Sequence, residues 1–128
     1  MLDSDICIYV GKSKPPKLAD RFERLADRIC ISAITLAELH FGAENSDRRL
    51  ASLKTLGEFV DRLVVLPFSA NAASHFGQLR VELQRSGRPI GPYDMLVAAH
   101  ARAEGLILVT NNEREFRRVP GLLMENWV

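Results

Sequence analysis

Three carboxylates stand where the surrounding pattern asks for apolar side chains. Asp3 closes the short apolar run MLD, with Asp5 two residues on. Glu38, in ISAITLAELHFGAE, shares a helical face with Ile34, Ala37 and Phe41. Asp94, in GPYDMLVAAHA, shares one with Val97, Ala98 and Ala101, and Ile90 precedes it. A buried carboxylate is costly unless it is paired or hydrogen-bonded. Each of the three has a local explanation. Asp3 could cap the helix that follows, Glu38 could snorkel or pair with an arginine, and Asp94 could be a first-turn acid favoured by the helix dipole. Three inward acids from three separate elements point instead to one hard divalent cation, Mg²⁺ or Mn²⁺, held through oxygen. A fourth corner, LILVTNNEREF, offers Asn112 and Glu115, each able to reach the cluster directly or through water.

Carboxylates around such a cation can activate a water against a phosphodiester, and one or two metals suffice. His40, His75 and His100 are scattered and none pairs with another at catalytic spacing, so they read as structural or surface residues. Arg85 and Arg88 beside the SGRPIGPYD loop, and Arg114, Arg117 and Arg118 beside the fourth corner, could face phosphates or simply be a solvated surface. Tyr93 could stack on a base or pack.

Elements must bring these residues together. Short apolar runs at MLD, ICIS (29–32), LVVLPF (63–68), LILVT (106–110) and GLLMENWV read as strands. Between them lie helical patterns: ICIYVGK as a helix or turn, KLADRFERLADR, ITLAELHFGAE capped by Ser32 or Thr35, and SDRRLASLKTLGEFVDRL with a Ser-Asp cap. Ser69 caps a long helix to about Arg85, and Pro92 opens a helix that Gly105 ends. Strands that alternate with helices and are continuously apolar predict an α/β fold, a central parallel β-sheet flanked by helices on both faces. Ligands of such sheets bind beyond the carboxyl ends of the strands, where Asp3 and Thr110 fall.

The 128 residues suit one domain over 1–128, with 47% hydrophobic and 26% charged residues and no repeat or linker. No apolar run is long enough to span a membrane, no signal peptide is visible, and the two cysteines, Cys7 and Cys30, read as reduced core residues. These features predict a cytoplasmic protein. A net charge of +1 gives no global field for nucleic acid, leaving local clusters to that task.

The motifs MLDSDICIY, ISAITLAELHFGAE, GPYDMLVAAHA and LILVTNNEREFRRVPGLLMENW, in this order and spacing, resemble a PIN-domain ribonuclease of the VapC toxin family, enterobacterial type. The resemblance implies a PIN fold, Mg²⁺- or Mn²⁺-dependent cleavage of RNA, and inhibition by a VapB antitoxin. It further implies a tRNA substrate, initiator tRNA foremost, and a homodimer whose face comes from helices in the first half of the chain. Carried onto this sequence, it makes Asp3, Glu38 and Asp94 the metal-ligating acids. Many family members have an aspartate at the strand end where Asn111 and Asn112 stand here, so the fourth position falls to Asn112 or Glu115. A non-catalytic PIN-like module that binds RNA or protein is the alternative. LDSD also reads as the D-x-D of a haloacid-dehalogenase-like phosphatase, but the apolar lead-in and downstream acidic pair of that family are missing. A receiver-like phospho-acceptor would need an Asp after the middle strand, and VVLPF carries none.

Overall fold

The computed structural model describes residues 1–12 and 14–128. Helices α1 (Ser4–Gly11) and α2 (Pro16–Leu25) lead through a 3-10 turn at Ala26–Arg28 into strand β1 (Cys30–Ser32). Helices α3 (Ala33–Glu44) and α4 (Arg49–Val60) precede β2 (Val64–Leu66). Then come α5 (Ala70–Arg85), α6 (Pro92–Glu104), β3 (Ile107–Val109), the single turn α7 (Glu113–Phe116) and β4 (Leu123–Glu125).

Local chemistry explains most of the helix ends. The Ser32 hydroxyl accepts the Ile34 N–H at 3.1 Å and starts α3, and the Ser69 hydroxyl accepts the Ala72 N–H at 3.1 Å and starts α5. Pro92 occupies the first turn of α6, where its missing N–H is no loss, and Gly105 closes that helix at φ 65°, which a Cβ would strain. The expected Ser-Asp cap of α4 is not used. Arg48 holds the cap position without a side-chain bond, because the Ser46 hydroxyl closes a tighter turn on the Arg48 N–H. The strands are also shorter than their apolar runs, three residues each, and the run MLD forms only a single bridge, from Leu2 to Val109.

β1 pairs with β2 and β3 with β4, both in parallel. Residues 1–3 join the pairs. The Leu2 N–H donates to the Cys30 carbonyl at 2.9 Å, while the Val109 N–H donates to the Met1 carbonyl at 2.8 Å and the Asp3 N–H to the Val109 carbonyl at 2.9 Å. The result is one parallel arrangement in the order β2, β1, residues 1–3, β3, β4. Alternation along it divides the core into two. Met1, Cys30 and Leu108 face one cluster, with Leu79, Leu83, Met95 and Val97 of α5 and α6. Leu2, Ile31 and Val109 face the other, with Ile6, Leu18 and Phe22 of α1 and α2. Helices thus cover both faces, as the continuous apolar runs required. Cys7 is buried and Cys30 half-buried, both as free thiols.

Chain order reverses between residues 1–3 and β3: one neighbour, β1, is the next strand in the chain, the other follows only after β2 and four further helices, α3 to α6. Such a switch point opens a crevice past the strand ends. Asp3, Ser32 and Thr110 are the first residues beyond or at those ends.

Candidate active site

Asp3 is clamped from both sides of the crevice. Its Oδ1 accepts the Ser4 N–H at 2.9 Å, so it does cap α1, and its Oδ2 accepts the Thr110 hydroxyl at 2.8 Å. The residue is 3% exposed, and burial pushes its carboxyl above the usual range while these bonds pull it back. Thr110 is fully buried and also accepts the Asn112 N–H at 2.9 Å, so one hydroxyl fixes both the first acid and the loop after β3.

Glu38 enters from α3 and Asp94 from the first turn of α6. Both carboxyls are raised, first by burial and then by neighbouring acids: Asp3 acts on Glu38, and Glu115, Asp3 and Glu38 act on Asp94. Asp94 reaches about 7, with the Glu115 carboxyl close enough for one proton to bridge the two. Gly91 backs this acid; a Cβ there would meet Asp94 Oδ2 at 3.7 Å. Asn112 donates its side-chain amide to Glu115 Oε2 at 3.4 Å. The structure therefore brings together all five residues singled out in the sequence, with Glu115 in the acid cluster and Asn112 orienting it.

Asp5 joins them, although no local pattern marked it as a site residue. Its Oδ2 accepts the Asn111 N–H at 3.0 Å and its Oδ1 the Ile6 N–H at 2.6 Å. Burial, then Asp3, raises it to about 6. The signal available was its place two residues after Asp3, which puts it in the same helical turn.

One expectation needs correction. The face of α3 that carries Glu38 is not inward throughout: Ile34 packs against the core, but Ala37 is exposed and Phe41 is 71% exposed. The glutamate stands at the border where that face leaves the core for solvent. Arg118, for which a phosphate-facing and a simply solvated role were both open, donates its Nη1 to the Pro89 carbonyl at 2.9 Å and so ties down the loop ahead of Asp94. Arg117 pairs with Glu113 at 3.7 Å, whereas Arg85, Arg88 and Arg114 are exposed. Tyr93 is 61% exposed and so is not a packing residue.

His100 is structural, as its isolation implied, but it links two site-bearing helices. From α6 its Nδ1 lies 2.8 Å from the Ser32 hydroxyl that caps α3, and Phe68 packs edge-on to its ring. Burial lowers its pKa, keeping the imidazole neutral.

None of Asp3, Asp5, Glu38, Asp94 and Glu115 takes part in an ion pair among the described residues. Nor, among the described residues, do any three His, Cys, Asp or Glu side chains stand close enough together to hold a metal ion as they lie. The donor set nonetheless fits a hard divalent cation. It is all oxygen, and Glu38 Oε1 is buried without a hydrogen-bond partner, an acceptor whose lone pairs face no protein donor.

The chain is similar to known proteins along nearly its whole length. Residues 1–122 match the PIN domain family. The chain is 50% identical over 127 residues to the tRNA(fMet)-specific endonuclease VapC of Shigella flexneri, covering 99% of this chain and 96% of that protein. It is 47% identical over 128 residues to Ribonuclease VapC2 of Haemophilus influenzae, covering 100% and 97%. Its fold superposes on the crystal structure of DNA-bound VapBC from Salmonella typhimurium with a TM-score of 0.96 at 48% identity, covering 100% and 97%.

Proposed function

Since the chain belongs to the PIN domain family, and within it to the VapC ribonucleases, we propose that it is the toxin of a type II toxin–antitoxin pair and cleaves RNA endonucleolytically, with initiator tRNA as its substrate. The observation that carries this reading is the group of unpaired acids at the switch point, with Glu38 Oε1 left bare.

We further propose that Asp3, Glu38 and Asp94 hold Mg²⁺ or Mn²⁺, with Glu115 beside them. The chemistry a divalent cation supplies when bound there is a more acidic water and neutralisation of charge on the attacked phosphate. The protein does the rest. Ser4 and Thr110 fix the Asp3 carboxylate, so it need not reorganise. Asn112 holds the Glu115 carboxylate in place and Asp94 lies against it, so the two acids would offer their oxygens side by side to a bound cation. A non-catalytic PIN module would have no use for five acids left without a counter-charge.

The partner we assign is a VapB-type antitoxin, since solved relatives such as the Salmonella structure are VapBC complexes. An apolar cleft of about 860 Å³ between α1, α3 and α4 opens at Glu38, a surface that such a partner would cover next to the acids. We also expect a homodimer through helices of the first half, where Leu50 of α4 is 77% exposed. Among the described residues no helix is long and apolar enough to cross a membrane.

The test is cleavage of tRNA(fMet) by the purified chain, with the 5′ ends of the products sequenced. One new end is expected, dependent on Mg²⁺ or Mn²⁺, stopped by EDTA and lost in Asp3→Asn. Undiminished cleavage in EDTA would remove the metal from the mechanism; no cleavage of any RNA would leave the non-catalytic reading.

A further inference from the structure

Two large aromatic rings lie bare beside the acids. Phe41 follows Glu38 by three residues on α3, so the two share a face. Tyr93 immediately precedes Asp94 on α6. Phe41 is 71% and Tyr93 61% exposed, although burial of such rings would stabilise the fold. They line one cavity of about 420 Å³ together with Ala37 and Glu38. That volume falls in the range of roughly 300–1,000 Å³ usual for small-molecule sites. Its walls are aromatic, Ala37 leaves room between them, and its one carboxyl group, Glu38, is an acid of the proposed cleavage site.

We propose that Phe41 and Tyr93 form a nucleobase-stacking subsite, which holds a base of the RNA substrate adjacent to the phosphate that is cut. The inference rests on the ribonuclease reading above and deepens it. Aromatic faces stack on any base, and the pair offers two of them. Placement selects a nucleotide over other apolar ligands. A ligand seated between the rings is in contact with Glu38 and one residue from Asp94, so its polar end must lie at the acids. A nucleotide joins a flat π-system to a phosphate over that short span. The acids alone, being negative, would repel RNA, and an uncharged contact beside them supplies affinity without opposing the cation. Exposed Arg88, in the loop leading to Tyr93, is available to the neighbouring phosphate.

The experiment uses the full chain with Mg²⁺ and a short RNA spanning the cleavage point, in single-turnover kinetics. Phe41→Ala and Tyr93→Ala are compared with Phe41→Tyr and Tyr93→Phe, and each protein is also given RNA lacking the base on either side of the cut. Loss of one stacked base corresponds to roughly 5- to 150-fold in affinity. The alanine variants should weaken substrate binding by that factor with a smaller change in the cleavage rate at saturation, and the ring-retaining variants should stay near wild type. Removing the base should weaken wild type equally and the alanine variants no further. Additive losses, or alanine variants that bind like wild type, overturn the subsite while leaving the ribonuclease reading intact. So does an alanine variant that changes sedimentation or antitoxin binding but not RNA affinity, for then the rings serve a protein interface. Failure of wild type to cleave any RNA overturns the parent reading and the subsite with it. Both rings are exposed, so thermal unfolding of the variants should match wild type.

Discussion

Asp94→Asn should make the metal-free protein more stable, and only above a certain pH. The Asp94 carboxyl is raised from 3.8 to about 7 by burial, by its contact with Glu115 and by the charges of Asp3 and Glu38. Between those two values the folded state holds a proton that the unfolded chain has released, so stability falls as pH rises from about 4 to about 7 and is flat beyond. Asparagine carries no such proton. At about 1.4 kcal/mol per unit, the shift of about three units sets a ceiling of about 4 kcal/mol at pH 8. Asp94 is only half-buried, and solvent screening cuts this to ~1–2 kcal/mol. Urea unfolding in EDTA measures it: the midpoint of Asp94→Asn should exceed wild type at pH 8, and the gap should narrow at pH 5. Excess Mg²⁺ should reverse the order, since a ligand at a hundred times its Kd stabilises wild type by about 2.7 kcal/mol. A variant that is less stable at both pH values, or whose gap ignores pH, would refute the account of a cluster under mutual repulsion.

Glu115→Gln should raise the Mg²⁺ concentration for half-maximal cleavage, with rescue by excess metal, whereas Asn112→Ala should lower the rate about 10–100-fold without rescue, because it only orients Glu115; metal titrations on one RNA separate them. Thr110→Val keeps the shape but removes the donor to Asp3 Oδ2 and the acceptor for the Asn112 N–H, so activity should fall about 10–100-fold and stability by ~1–3 kcal/mol, read from kinetics and urea melts. His100→Ala should cost ~2–3 kcal/mol and weaken metal binding, since it unties α6 from the cap of α3; calorimetry reads both effects, and unchanged metal affinity would confine His100 to packing.

Local chemistry was legible in the sequence wherever a residue acts on its near neighbours. Ser32, Ser69, Pro92 and Gly105 mark helix ends through bonds and angles within a few residues, and they stand where they were read. Periodicity identified the α3 residues that share a face with Glu38, but it is silent on what that face meets, which is why Phe41 was expected inward and lies outward. Asp5 escaped because its partner is the Asn111 N–H, 106 positions away. The tie from Arg118 to the Pro89 carbonyl was hidden for the same reason, since no pattern around residue 118 shows a partner 29 positions away. The inward acids were legible because a carboxylate among apolar residues is costly wherever the chain goes, so the anomaly survives ignorance of the tertiary fold.

The clamp between Asp3 and Thr110 spans 107 positions, and residues 1–3 are the seam between the two strand pairs. On a ribosome, therefore, Asp3 emerges more than a hundred residues before the hydroxyl that fixes it. Contacts of such long separation close late. A growing chain can form α1 to α5 and still lack both the seam and the third acid. The geometry that would make the finished protein harmful to RNA cannot exist while most of it is being made next to the translation machinery. Assembly of the acid cluster waits for β3.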